Sequence, residues 1–451
     1  MRTRGAGRRS LADHPARFVV TAFVAAIAVG TGLLLLPWST AAGRDTGLVT
    51  AMYTATSAVC VTGFSTVDVG THFTGFGQVV LLVLVQVGGL GFMTLASLIA
   101  MLVSNRLGLR MALVASTERG TLALGDVRRV LRGVAVVTLA VEVVVAAVLV
   151  VRLRTGHGYA WDDAFWHGVF HSVAAFNNAG FSLYADSLNR FATDAVITTA
   201  VMVAVVIGGL GFPVLVDLYQ RRGLGWRRLS LHSRLTLTSS GALLVLGWLV
   251  ITLAEWANSE TLGAHGPGAR VWMGLFGSVT SRTAGFHTMT PGEMTDEGLI
   301  ATMFLMFVGA GSAGTSGGIK AGTFALLVLV VRAELRGSRD VVVFGRRIGE
   351  AVQRQAITVV LLAVSVVAVA IFGLLWVTDL PLDDVAFEAV SGFGTAGLST
   401  GISPLLPAAG QLMMMLVMLV GRVGPLTLGT ALVIRFRTAR IRYPEEAPLI
   451  G

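Results

Sequence analysis

Four short stretches could do the same chemistry: Val61-Thr62-Gly63-Phe64, Asn178-Ala179-Gly180-Phe181, Thr283-Ala284-Gly285-Phe286 and Thr395-Ala396-Gly397-Leu398. Each offers a few main-chain carbonyls ending at a glycine, which tolerates left-handed backbone angles that a side chain resists. Carbonyl oxygens gathered into a ring replace the water shell of a passing cation. Potassium is larger than sodium and sheds water more readily, so it suits such a ring. The four glycines lie 117, 105 and 112 residues apart in a chain of 451. A single Gly turn is an ordinary loop, whereas four in register indicate segments gathered around one axis.

The elements that must position these turns are helical. Each turn follows a short, moderately apolar segment and precedes a long apolar run. Eight runs reach the ~20 residues needed to cross a bilayer: 17–37, 78–103, 130–151, 195–218, 235–255, 299–331, 356–378 and 411–434. From each turn glycine to the first Gly of a later cluster takes 25 residues (Gly63 to Gly88), 28 (Gly180 to Gly208), 24 (Gly285 to Gly309) and 24 (Gly397 to Gly421). The string Gly-Gly-Leu-Gly-Phe recurs at 88–92 and 208–212. These matches point to internal duplication. The expected fold is an all-α integral membrane protein of four pseudo-symmetric helix–pore-loop–helix repeats around a central pore, with eight spanning helices and four re-entrant half-helices. Each half-helix would aim the negative end of its dipole at the axis.

Composition agrees with a membrane class: 54% of residues are hydrophobic and 13% charged, against about 25% charged in soluble domains. The single cysteine, Cys60, excludes a disulfide framework and reads as a small packing residue behind the first turn. With the N-terminus inside, 26 of the 34 basic residues fall on the cytoplasmic side, as the positive-inside rule requires. The expected organisation is a basic cytoplasmic N-terminus (1–16), repeat 1 (17–103), a cytoplasmic loop (104–129), repeat 2 (130–218), a loop (219–234), repeat 3 (235–331), a loop (332–355), repeat 4 (356–434) and a cytoplasmic C-terminus (435–451). The protein would be multi-pass in the cell membrane with both termini cytoplasmic. The basic loops suit topology and anionic lipid rather than nucleic acid.

Repeat 3 carries a break. The run Gly309-Ala310-Gly311-Ser312-Ala313-Gly314-Thr315-Ser316-Gly317-Gly318 disfavours helix by about 1 kcal/mol per glycine. Unwound backbone at membrane depth is tolerated where it lines a cavity or is buried in protein. Arg422 lies at the level of this break in repeat 4, where its donors can hold loose carbonyls and its charge opposes a cation. Lys320, the only lysine, either serves similarly or reaches toward the cytoplasm. Asn177 and Asn178 are expected to buttress the second turn. Glu142 is expected to be a neutral or paired packing residue, and Arg282 to point away from the axis onto an acidic or carbonyl partner. Pro213 and Pro425 read as helix kinks.

At 57–63, 176–181, 281–286 and 393–398 the sequence resembles the four filter segments of the Trk/Ktr/HKT superfamily of potassium transporters. The resemblance spans about 17 to 435 and is nearest the Ktr-type membrane subunit. It implies that Val61, Thr62, Gly63, Asn178, Ala179, Gly180, Thr283, Ala284, Gly285, Thr395, Ala396 and Gly397 form a potassium-selective filter, since four filter glycines go with potassium and a Ser in the first position with sodium. It implies an intramembrane gate formed by Gly309, Gly311, Gly314, Gly317, Gly318 and Lys320, with Arg422 holding it closed. It further implies a homodimer docked on a cytosolic, nucleotide-binding regulatory ring. Potassium is then the substrate, with no cofactor in this chain.

Rival readings are weaker. A sodium or unselective cation transporter of the same fold is the nearest. Gly314-Thr315-Ser316-Gly317-Gly318 matches a serine-hydrolase pattern, but such chemistry needs a base in reach of Ser316. The eight histidines lie in termini, loops or short half-helices. A nucleotide-binding loop is excluded because Ala321 follows Lys320 and no strand precedes the run.

Overall fold

The computed structural model describes residues 15–112 and 124–434. The arginines expected at the cytoplasmic termini (Arg2, Arg4, Arg8, Arg9, Arg435, Arg437, Arg440 and Arg442) and the middle of the 104–129 loop lie outside the described residues. The chain is mostly helical. In order it forms α1 (Pro15–Leu34), α2 (Leu48–Cys60), a single turn α3 (Val69–His72), α4 (Gly75–Ala112), α5 (Leu124–His157), α6 (Trp161–Phe176), α7 (Ala195–Leu210), α8 (Phe212–Gln220), α9 (Leu231–Ala254), α10 (Pro267–Thr280), α11 (Asp296–Phe307) and α12 (Ala321–Leu335). A two-stranded hairpin, β1 (Val342–Val343) and β2 (Arg346–Arg347), precedes α13 (Glu350–Val377), α14 (Leu382–Gly394) and α15 (Ala408–Ile434).

A long helix, a short helix and a second long segment follow one another four times. The short members α2, α6, α10 and α14 have 13, 16, 14 and 13 residues. At 1.5 Å per residue they reach about 20–24 Å, less than a hydrocarbon core. Among the described residues four helical stretches are long and apolar enough to cross a bilayer: Gly75–Thr94, Val130–His157, Leu231–Ala254 and Glu350–Val377. The outer faces of α5, α9 and α13 are apolar and exposed, at Leu139, Val143, Leu249, Leu253, Val369 and Phe372 for example, as suits lipid contact.

One second segment departs from the expected single span. The segment 195–218 divides at Gly211, and α8 turns 93° away from α7. Gly211 takes φ +90°, and Pro213 stands in the first turn of α8, where its missing N–H costs nothing. The segment 299–331 is interrupted between Phe307 and Ala321, as its glycines require. By contrast α15 continues through Pro425 to Ile434. Two expected loops also hold structure: helices extend to Ala112 and from Leu124 within 104–129, and 332–355 contains the hairpin.

Small residues bring the short helices close to the long ones. A Cβ on Gly168 of α6 would stand 2.6 Å from Val150 Cγ2 of α5, and one on Gly247 of α9 would stand 2.7 Å from Ser278 Oγ of α10. Caps fix where several long segments begin. Ser230 caps α9 and Thr295 caps α11, while Asp194 caps α7 by accepting from the N–H groups of Val196 (3.0 Å) and Ile197 (3.3 Å). Asp194 also binds Arg152 Nε at 2.8 Å and His157 Nε2 at 2.7 Å, clamping α7 to the end of α5. Burial alone would raise the Asp194 carboxyl, but these partners and the two amides hold it below its ordinary value.

Asp194→Ala should therefore lower unfolding stability by about 1–2 kcal/mol, the loss expected for a cap with a partly exposed ion pair. Thermal unfolding in detergent checks this. Because the folded-state value is depressed, the wild-type advantage should be complete above the unfolded carboxyl value. It should fade as the pH falls through the acid range below about 4.

Candidate functional site

The four short helices end in the same way. Val61, Asn178, Thr283 and Thr395 have positive φ angles of 57°, 58°, 73° and 49°. Two residues on, Gly63, Gly180, Gly285 and Gly397 have φ of 100°, 66°, 79° and 81°. Side chains resist the left-handed region, so the repeated geometry is a constraint imposed by surroundings. Three of the turns close alike, with Thr62 N–H on Ser57 O, Ala179 N–H on Ala174 O and Ala396 N–H on Ser391 O, each at 2.8 Å. The residue after each glycine is a buried anchor: Phe64, Phe181, Phe286 and Leu398.

These turns meet one another. A Cβ on Gly63 would lie 2.9 Å from Gly180 Cα, and one on Gly180 would lie 2.8 Å from Gly285 Cα. One on Gly285 would lie 2.5 Å from Ala396 O, and one on Gly397 would lie 3.2 Å from Gly63 Cα. The contacts run from first turn to second, third, fourth and back to the first. The backbone of the four stretches is therefore one closed ring, in which any side chain at a glycine would strike its neighbour. Buried hydroxyls of Thr62, Thr283 and Thr395 have no hydrogen-bond partner among the described residues.

The later glycine clusters seat the second segments on these turns. A Cβ on Gly88, Gly208 or Gly421 would strike the carbonyl of Val59, Phe176 or Phe393, the residue four before each turn glycine. Helix α4, α7 or α15 thus presses directly on the end of its own short helix. In the third repeat a Cβ on Gly309 would instead strike Gly317 O of the unwound loop and lie 3.4 Å from Thr283 Cγ2.

That loop, 308–320, is fixed by neighbouring repeats. Gly311 N–H donates to Gly209 O at 2.8 Å, Thr315 N–H to Gly208 O at 3.1 Å, and Gly318 N–H to Gly421 O at 3.3 Å. Gly314 has no room for a Cβ against Gly209 O, nor does Gly317 against Thr395. Arg422 is fully buried and donates through Nη1 to Thr315 O and through Nη2 to Gly88 O at 3.3 Å. Its guanidinium also covers the Phe92 ring at 4.6 Å. Lys320 folds back onto the loop, donating to the carbonyls of Ser316 and Gly317. Of its two expected positions, it takes the one on the loop.

Arg282 turns to carbonyls, donating to Ser240 O at 3.0 Å and Gly309 O at 3.3 Å. Asn177 donates to Glu142 and to Gln86, a residue that the sequence did not single out. Cys60 is buried with a free thiol. The Ser316 hydroxyl accepts from Ala310 N–H at 3.2 Å, and no histidine among the described residues bonds to it.

Residues 11–441 match the family TrkH, cation transport protein. The chain belongs to this family. It is 36% identical to Ktr system potassium uptake protein B of Bacillus subtilis over 437 residues, covering 97% of each. It is 32% identical to the potassium/sodium uptake protein NtpJ of Enterococcus hirae, again over 97% of each. The crystal structure of the potassium transporter TrkH from Vibrio parahaemolyticus superposes with a TM-score of 0.73 at 18% identity, covering 95% of this chain and 86% of that one. The last likeness concerns the fold alone. As a member of the TrkH family the chain is a cation transporter and not an enzyme.

Proposed function

We propose that this chain is the potassium-translocating membrane subunit of a Ktr-type uptake system. The observation that carries the reading is the closed ring of Gly63, Gly180, Gly285 and Gly397. In it, carbonyls of Val61, Thr62, Asn178, Ala179, Thr283, Ala284, Thr395 and Ala396 would take over the hydration shell of the ion. The unpartnered hydroxyls of Thr62, Thr283 and Thr395 add oxygens of the same kind. The ends of α2, α6, α10 and α14 bring negative dipole ends to the ring.

On this reading the repeats 17–103, 130–218, 235–331 and 356–434 surround one pore, and the short helices are re-entrant. The loop bearing Gly309, Gly311, Gly314, Gly317, Gly318 and Lys320 is the gate, held shut by Arg422. Both termini face the cytoplasm, as the distribution of arginines supports. The name of the Bacillus subtilis relative, a "system" protein, supports a partner. We assign that role to a cytosolic nucleotide-binding ring beneath a homodimer of this chain. A second reading, transport of sodium as well as potassium, is favoured by the name of the Enterococcus hirae relative.

The test is uptake in cells stripped of their own potassium transporters. Expression of this chain should restore growth at low potassium, and rubidium uptake should resist excess sodium. Failure to move rubidium with the regulatory ring co-expressed would reject the reading. Sodium uptake at an equal rate would favour the second.

A further inference from the structure

The residue three before each turn glycine differs in every repeat: Cys60, Asn177, Arg282 and Gly394. Cys60 and Gly394 are small and apolar, whereas Asn177 is a polar amide in the interior. Its Nδ2 lies 2.8 Å from Gln86 Oε1 on α4, 3.2 Å from Glu142 Oε1 on α5 and 3.0 Å from Val173 O of its own helix. Gln86 Nε2 in turn donates to Glu142 Oε2 at 3.3 Å. Glu142 is 6% exposed and Asn177 fully buried. The three side chains close a triangle between repeat one and repeat two.

Its neighbours make the triangle tight. Gly89 of α4 leaves no room for a Cβ against Asn177 Oδ1. The Glu142 main chain is itself fixed, since Ser172 Oγ of α6 donates to Glu142 O at 2.6 Å. Asn177 immediately precedes Asn178, whose positive φ opens the second turn. On the same helix α4, Gly88 bears on Val59 O beneath the first turn. A shift of Gln86 therefore moves the base of one turn and the strut of the next.

We infer that Glu142 is a positioning residue for cation discrimination: through Gln86 and Asn177 it sets the separation of the first and second turns. A carboxylate suits this role because each oxygen accepts from a different amide, one on each side of the repeat boundary. Glu142 is buried on the inner side of α5, where a carboxyl with no such task would be costly. The inference rests on the uptake reading but can fail independently of it.

The experiment compares Glu142→Leu, Glu142→Gln and Gln86→Leu with wild type. In cells, the sodium concentration that halves rubidium uptake should fall about tenfold in Glu142→Leu, the scale of one lost buried hydrogen bond. Glu142→Gln keeps one acceptor but turns an NH2 toward the other amide, so its fall should be intermediate, about threefold. Gln86→Leu should resemble Glu142→Leu. If Glu142→Leu is not inserted, Gln86→Leu decides the matter alone. In parallel, purified proteins are heated in potassium or sodium chloride. The preferential stabilisation by potassium should shrink most in the Leu variants and less in Glu142→Gln. That readout needs no transport, so it separates a failed strut from a failed uptake reading. Wild-type discrimination in both Leu variants would overturn the inference.

Discussion

Gly63→Ser should admit sodium more freely than the wild type does. Gly63 sits at φ +100°, where a side chain costs about 1–2 kcal/mol. The added Cβ would also strike Ala179 O and approach Gly180 Cα at 2.9 Å. Both are backbone atoms of the next turn, so no rotamer change relieves the clash. The ring must widen between the first and second turns, and the hydroxyl then offers an oxygen in a position where none was fixed. A ring that no longer holds its oxygens at one fixed separation loses the fit that favoured the larger ion, and the added hydroxyl lets the smaller one be coordinated from one side. A distortion of about 1–3 kcal/mol, carried into ion binding, predicts a ten- to hundredfold loss of potassium preference. The measurement is sodium competition against rubidium uptake, scored at equal membrane abundance. Gly397→Ala is a harsher version, since its Cβ would meet Thr62 O directly; it should abolish uptake rather than relax it. A Gly63→Ser protein with unchanged sodium rejection would remove the ring from the permeation path.

The turns were legible in the sequence because a close backbone approach at positive φ leaves glycine as the main solution, and four copies made the pattern visible. The later glycine clusters were legible as spacing, but their reason was not. Only the coordinates show that Gly88, Gly208 and Gly421 rest on carbonyls four residues before the turns. The bend at Gly211 had its signal in Gly211 and Pro213, yet hydropathy alone reads 195–218 as continuous. The hairpin at 342–347 turns through Phe344 and Gly345 at φ 49° and 74°. Phenylalanine is not a turn-forming residue in that region, so local chemistry gave no sign. The triangle was the least legible feature. Glu142 lies 56 residues from Gln86 and 35 from Asn177, and pairing across such distances is a property of packing. Arg282 shows the same limit, since its partners are carbonyls that no side-chain pattern encodes.

Arg422→Ala should raise the maximal rate of rubidium uptake several-fold while leaving sodium competition near wild type. The side chain is fully buried and bridges the loop carbonyl Thr315 O to Gly88 O on α4. Losing a charge-assisted bond to Thr315 biases the loop away from its present position by about tenfold in population. The loop keeps its other ties, Gly311 to Gly209 and Gly318 to Gly421, so it loosens without leaving the protein. On the proposed path, removing the charge also lowers the repulsion that a cation would meet below the ring. Arg422→Lys separates the two effects, because it keeps the charge and loses the forked contact. If the contact dominates, Lys should behave like Ala; if charge dominates, Lys should behave like wild type. A deletion of 312–315 provides an independent route to the same end, and it should raise the rate even with Arg422 in place. The turn residues keep their sequence in all three variants, but the deletion also removes the Thr315 Oγ1 bond to Phe176 O beneath the second turn, so selectivity should hold best in the two Arg422 variants. Wild-type or slower uptake in both the Ala variant and the deletion, at equal abundance, would show that the loop does not obstruct the path.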